Sequence, residues 1–359
     1  MDIICRHCNA TYTVAEHKLP HKKAAAKCKR CGNQIIIDPA DAGSQTDPTT
    51  APAPLPPRQA APATQHDRSI VAAFPDIAAY ASDALKKKYL PGCVSGDIVT
   101  AVAMTEPGAG SDLAGISTAA VEEGDQVVLN GSKTFISNGI LADLVVVAAR
   151  DPEEEDPYQA ISLYLVESET PGFEKGRRLK KMGLWSQDTA ELFFSKCRIP
   201  KTNRLGKKGD GFLMLMEKLQ QERLVCAVWA VAGAERIMEW AMAYCQNTRI
   251  SGKPISKSQA VQFGLIEMAT DVKLGRAFVD KLVRDHMEGE NVVIETSMAK
   301  YWTTDMVKRI ADRALDFCGN FGILETCRMV RAWRDVRVMS IFAGTNEIMK
   351  NIAAKFMGL

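Results

Sequence analysis

No apolar run in the 359 residues approaches the roughly 18 that a bilayer-spanning helix needs. Charge of one sign is also missing. Lys and Arg number 45 and Asp and Glu 43, leaving a net charge of +2, so no overall field draws the chain to nucleic acid or to a membrane surface. The N-terminus, MDIICRHCNA, has neither the apolar core of a secretory signal nor the Arg/Ser-rich pattern of a transit peptide. The expected location is the cytoplasm. A dinucleotide fingerprint is lacking too. Gly108 and Gly110 open one, but Leu113 stands where the third glycine belongs, and no short strand-to-helix unit surrounds it. What is left, 46% hydrophobic and 25% charged, is the composition of a soluble globular protein of two or three domains.

Cysteine is plentiful, and its placement is informative. Four of the ten cysteines form C-x2-C…x19…C-x2-C, with Cys5 and Cys8 in one pair and Cys28 and Cys31 in the other. Each pair on a tight knuckle offers two thiolates to one ion. Four thiolates close a tetrahedral Zn²⁺ with no open position, so the expected site is structural. Thr11–Val14 and Gln34–Asp38 read as short strands, giving a zinc ribbon over residues 1–38 that metal binding would help to fold. The Lys and Arg residues between the pairs read as a solvated face rather than a nucleic-acid site. The other six cysteines are scattered, as reduced core thiols are. Residues 39–67 hold seven of the sixteen prolines and read as a semi-extended linker.

The stretch that organises the remainder is Ala103–Gly115, AMTEPGAGSDLAG. Its glycines leave backbone N–H groups open to a ligand, and Thr105 and Ser111 add hydroxyls. Alone it could be a turn between strands. It is followed by NGSKTFISNG at Asn130–Gly139, MGLWSQDTAELFF at Met182–Phe194 and FAGTNEIM at Phe342–Met349. In this order and at these distances the four motifs resemble the acyl-CoA dehydrogenase family of flavoenzymes, from about Lys86 to Leu359.

The resemblance implies a multi-domain α+β protein. After the ribbon and linker would come a remnant of the family's N-terminal helical domain (68–95), most of that domain being missing. A middle β-barrel domain (96–208) and a C-terminal four-helix bundle (209–359) would follow. Short β-branched runs such as Leu144–Ala149 and Ile161–Val166 fit the barrel. Long segments at Glu222–Asn247, Ser258–Met287, Val293–Phe317 and Leu324–Val338 fit the bundle. The resemblance further implies FAD as cofactor, an acyl-CoA substrate, electron-transfer flavoprotein as electron acceptor, and a homodimer or homotetramer. Met104, Thr105, Gly110, Ser111, Phe135, Ile136 and Ser137 would hold the flavin ring, with Ser111 also meeting CoA. Arg249, Gln259, Gly319, Thr345 and Glu347 would serve the remainder of the cofactor, and Gln220 and Arg223 the substrate.

The family's reaction is α,β-dehydrogenation of an acyl-CoA thioester. Most members carry the base in a Tyr-Glu-Gly-Thr sequence, and here that position is Ala343. A minority, the isovaleryl- and long-chain-type enzymes, carry it on a bundle helix directly before an Arg. Glu222-Arg223 matches that arrangement, so the resemblance places the base at Glu222 and oxyanion-binding N–H groups at Ala343 and Gly344. The plain alternative is a Glu at a helix start, favoured by the dipole. Some positions depart from the family. Thr248 replaces an Arg expected at the FAD phosphate, with Arg249 about 100° further round a helix. Asp316 and Asn320 interrupt a Gln-x-x-Gly-Gly-x-Gly turn. A second expectation therefore stands beside the first: an impaired or inactive relic of the family whose ribbon binds a protein or nucleic acid.

Overall fold

The computed structural model describes residues 2–4, 11–13, 24–29, 34–37 and 74–359. The chain divides into two compact units, Met1–Arg58 and Gln59–Leu359. In the first, β1 (Asp2–Ile4) pairs antiparallel with β2 (Thr11–Thr13), and β3 (Ala24–Lys27) with β4 (Gln34–Ile37). Two of these four strands coincide with the expected ones. Cys28 follows β3 and is buried. Cys5, Cys8 and Cys31, with the linker at 39–67, lie outside the described residues.

The second unit opens with two helices, α1 (Phe74–Tyr80) and α2 (Asp83–Ser95). They lie within the expected helical remnant at 68–95, and α2 runs through Pro91 and Gly92 to a left-handed Gly96 cap. At its start the Ser82 hydroxyl accepts from the Leu85 N–H at 3.4 Å, satisfying one orphan donor of the first turn.

Eight strands then form one mixed sheet. They are β5 (Thr100–Ala103), β6 (Ala119–Glu123), β7 (Gln126–Ser137), β8 (Leu144–Arg150), β9 (Ile161–Glu167), β10 (Phe173–Arg178), β11 (Thr189–Pro200) and β12 (Arg204–Leu205). The order is β10-β11-β7-β6-β8-β9-β12, with β5 parallel to β8. Residues 144–149 of β8 and 161–166 of β9 are buried throughout. That is why β8 is an unbroken apolar run and β9 is one apart from the buried Ser162, rather than alternating. The β7–β11 ladder shifts register between Leu192 and Ala190, opposite Lys133 and Ile136. This bulge re-aims the residues between.

The bundle is built on α3 (Gly211–Asn247), 37 residues and so about 55 Å long. It packs with α4 (Gln259–Met287), α5 (Val293–Cys318), α6 (Arg328–Val336) and α7 (Asn346–Phe356). Two details differ from the sequence expectation. The segment Leu324–Val338 is α-helical only over α6, because Leu324 and Cys327 spend their N–H groups on tight turns to Phe321 and Leu324. The FAGTNEIM motif begins an additional helix, α7, capped by the Thr345 hydroxyl accepting from Ile348 N–H at 3.3 Å. No helix among the described residues is long and apolar enough to cross a membrane.

Candidate active site

Glu222 lies eleven residues past the first residue of α3, so it is no helix-start carboxylate and the dipole reading fails. Its carboxyl is pushed up to about 7, chiefly by burial and further by the nearby Asp76 carboxylate, with Arg223 opposing. Arg223 is 6% exposed. Its Nε donates to the Ala343 carbonyl at 3.4 Å, which joins the middle of α3 to the turn before α7. Gln220 is half-buried but sits two residues before Glu222, about 200° around the helix. It is not brought to the same face.

The turn is held from both sides. Ala343 and Gly344 adopt φ of 52° and 92°, the left-handed region that glycine tolerates and alanine resists. Lys300 of α5, fully buried, donates its Nζ to the Gly344 carbonyl at 2.6 Å and to Asn346 Oδ1 at 3.2 Å. Asn346 is anchored in turn by the Thr304 hydroxyl, the Tyr301 carbonyl and Asp305. Burial lowers the Lys300 ammonium to about 8. In a trans peptide the N–H points opposite to the preceding C=O. Arg223 on the Ala343 carbonyl therefore turns the Gly344 N–H to the other side of the peptide, and Lys300 on the Gly344 carbonyl does the same for the Thr345 N–H. Phe342 packs on Trp229 with ring centroids 5.8 Å apart. Glu347, in the first turn of α7, is exposed. A backbone N–H and the Thr345 hydroxyl at the helix start hold its carboxyl below the usual range.

The sheet contributes a second wall. Thr134 N–H donates to the Thr105 carbonyl at 2.9 Å, tying the Met104–Ser111 loop to β7. Glu106 and Ala109 close the loop by exchanging backbone hydrogen bonds. Beneath it lies a buried ion pair. Lys133 Nζ meets Glu106 Oε1 at 2.8 Å and the Met104 carbonyl at 3.0 Å. Ser117 and the Thr118 N–H complete the Glu106 shell. Burial alone would raise Glu106, but these donors outweigh it and hold the carboxyl at about 2. Burial lowers Lys133 to about 8, so the pair stays ionised at neutral pH. Phe135 has φ 57° and is 67% exposed. Ser137 is exposed beside it, and Ile136 turns into the core. Met104 packs against the hydrophobic cluster that includes Ile77 of α1, Leu144 of β8 and Met214 and Leu215 of α3, so loop, helix and sheet share one core.

Arg249, Gln259 and Gly319 stand at the other end of the bundle. Tyr244 near the α3 C-terminus donates to the Cys318 carbonyl at 3.2 Å and stacks on Phe321. Gly264 near the start of α4 approaches Phe317 and Arg313 of α5. Arg249 is in a two-residue strand, not on a helix, and its guanidinium donates to the Gly252 carbonyl at 3.2 Å. All three residues are exposed. From Glu222 to Asn247 the helix rises about 37 Å, so this group and Glu222 belong to separate places on one chain.

FAD can be tested against these surroundings. An exposed aromatic in a left-handed bend, hydroxyls at Thr105 and Ser137, and open space over Gly108 and Gly110, where an added Cβ would meet nothing within 4 Å, form a surface that fits one end of a flat, polar-edged ring system. Among the described residues no group of three His, Cys, Asp or Glu side chains could hold a metal ion, and of the four expected zinc ligands only Cys28 is described. Sequence reasoning missed Lys300, Lys133 and Glu106. The signal in each case was a charged residue inside a stretch that the motifs already marked: Glu106 in TEPGAG, Lys133 in NGSKTF, and Lys300 within the apolar positions of α5.

Comparison with known proteins gives three family matches: an acyl-CoA dehydrogenase C-terminal domain at residues 209–358, an acyl-CoA dehydrogenase middle domain at 101–197 and a zinc-ribbon domain at 1–36. The mitochondrial long-chain specific acyl-CoA dehydrogenase of Sus scrofa is 43% identical over 79% of this chain. The chain spans 66% of the length of that relative. A crystal structure of acyl-CoA dehydrogenase from Geobacillus kaustophilus aligns with a TM-score of 0.78 and 52% identity over 79% of this chain and 75% of that one. A solved FAD complex of PigA aligns at 0.77 with 27% identity over 80% and 75%. The chain therefore belongs to the acyl-CoA dehydrogenase family and carries a zinc-ribbon family segment ahead of that fold.

Proposed function

We propose that this chain catalyses flavin-dependent α,β-dehydrogenation of an acyl-CoA thioester, with Glu222 as the base. The observation that carries the reading is a desolvated carboxyl on α3 next to an Arg that grips the Ala343 carbonyl. Glu222 takes the α-proton onto its carboxylate. The developing charge on the thioester oxygen meets backbone N–H groups of the Ala343–Gly344 turn, where Arg223 on the Ala343 carbonyl presets the direction of the Gly344 N–H. Bound FAD supplies the acceptor for the β-hydrogen, which leaves as hydride. Thr105, Phe135 and Ser137 hold and orient the ring, while the Glu106–Lys133 pair keeps their loop in register with β7. Only ionised Glu222 can accept a proton, so turnover rises as pH passes through about 7.

Long-chain acyl-CoA is the substrate class that the mammalian relatives' names favour. Electron-transfer flavoprotein is the proposed acceptor for the reduced cofactor. Arg249, Gln259 and Gly319 lie too far from Glu222 to serve its cofactor within one protomer, which supports a homodimer or larger assembly in which each chain completes its neighbour's cofactor site. In the ribbon, Cys5, Cys8, Cys28 and Cys31 would hold a structural Zn²⁺. The test is the visible spectrum of the full chain with added FAD, followed by a long-chain and a branched acyl-CoA. Retained flavin that bleaches on substrate is the expected result. No retained flavin at excess FAD would overturn the reading and favour a non-catalytic protein.

A further inference from the structure

We propose that Lys133 is a positioning residue for the flavin site: its buried ammonium orients and polarises the Met104–Thr105 peptide, so that the Thr105 N–H becomes a strengthened donor to the ring and raises its reduction potential. This deepens, and rests on, the reading of the Met104–Ser111 loop and β7 as the flavin surface. Lys133 stands on β7 opposite Leu192 of β11, and its side chain is wholly removed from solvent. An ammonium in such a place is costly unless its donors are matched. Glu106 Oε1 at 2.8 Å balances the charge, and the Met104 carbonyl at 3.0 Å takes a further donor. Glu106 is itself fixed. Its Oε2 accepts from the Ser117 N–H and hydroxyl, both at 2.7 Å, and its Oε1 from the Thr118 N–H at 3.0 Å. The ammonium is thereby held in place under the Met104 carbonyl.

The two peptides of this stretch are used differently. In the Thr105–Glu106 peptide the carbonyl accepts from the Thr134 N–H at 2.9 Å, and the N–H donates to the Ala109 carbonyl at 2.9 Å. Both of its polar groups are spent inside the protein. In the Met104–Thr105 peptide the carbonyl is spent on Lys133, but the Thr105 N–H has no partner among the described residues. A trans peptide sends that N–H away from its own carbonyl, and so away from the buried pair. Thr105 is only half-buried, and the neighbouring Phe135 is exposed. A hydrogen bond from a cation to the carbonyl pulls electron density along the amide and strengthens the donor at its other end. A donor fixed in advance at a ring edge that grows more negative on reduction favours the reduced form. Glu106 and Lys133 cancel in net charge, so the effect runs through the peptide.

The experiment uses the full chain and two variants. Lys133→Met/Glu106→Gln removes both charges together and leaves neither buried alone. Glu106→Gln keeps Lys133 on the Met104 carbonyl. In the FAD-loaded chain, the flavin potential is read against a reference dye. The double variant should shift the equilibrium toward oxidised flavin by about tenfold, which is about 30 mV for a two-electron couple, and Glu106→Gln should shift it clearly less. A potential unmoved in the double variant, or moved equally in both variants, would overturn the proposal. Lys133→Leu/Glu106→Gln repeats the test if the Met variant fails to fold. A second readout needs no cofactor. In threonine-labelled protein, the Thr105 amide resonance should move in the double variant, and the Thr134 amide, bonded to the Thr105 carbonyl, should stay. Equal movement of both would mean that the loop has left β7 and that the pair is only structural, which also overturns the proposal. A wild type that retains no flavin would overturn the functional reading instead, and the polarised amide would then stand or fall on the resonance alone.

Discussion

At one end of the bundle, around Arg223, Lys300 and Ala343, polar groups are buried and matched to partners. At the other, Arg249, Gln259, Asp316 and Gly319 face solvent, and the Arg249 guanidinium is tied to a carbonyl three residues away. The first end can be understood within one chain. A buried cation there has a fixed geometry, because leaving it unpaired would cost several kcal/mol. The second end is the part that the proposed assembly would complete, since its polar side chains face solvent in the single chain. A motif therefore weighs differently at the two ends. A substitution at the buried end changes a network, while one at the exposed end changes a local charge.

The sharpest way to break this contrast is at Lys300. Lys300→Met would leave the Gly344 carbonyl without its buried donor and Asn346 Oδ1 with the Thr304 hydroxyl alone, and should cost about 2–4 kcal/mol, read as a lower urea midpoint at unchanged slope. A loss below about 0.5 kcal/mol would mean that the turn is not held from α5. At the exposed end, Asp316→Gln removes a solvent-facing charge near Gly319. It should tighten FAD binding by only about threefold, measured by fluorescence quenching at fixed salt. A hundredfold change would show that this end already forms a closed site in one chain. The smallest effect is expected across the two units. Cys5→Ser should release zinc, measured by metal analysis, and leave FAD content unchanged. Joint loss of zinc and flavin would show that the ribbon and the catalytic fold depend on each other.

Much of the fold was legible because periodicity and burial agree. The apolar run at 144–149 and the mostly apolar one at 161–166 became strands buried on both faces, and the long apolar stretch after Glu222 became the interior of α3. The start of α3 at Gly211 was obscured because its first turns mix Leu, Met, Glu and Lys without a clear apolar stripe. Within the expected helical remnant, Pro91-Gly92 does not end α2. The helix instead continues to Gly96, which bonds back to the Gly92 carbonyl. At the candidate site, Glu222 and Ala343 were named through the family resemblance, one carboxylate present where the family's usual one is absent. What joins them was not legible. Arg223 reaching Ala343 spans 120 positions, and Lys300 reaching Gly344 spans 44. No local pattern marks such pairs. Asp76 was hidden for the same reason, since its burial depends on how α1 lies on α3.

The most direct measurement is anaerobic stopped-flow reduction of the FAD-loaded chain by a long-chain acyl-CoA at pH 8, wild type against Glu222→Gln. Loss of the reduction rate by about 10²–10⁴-fold with flavin still bound is the predicted result. Reduction at the wild-type rate in the Gln variant would contradict the assignment of Glu222 as the base.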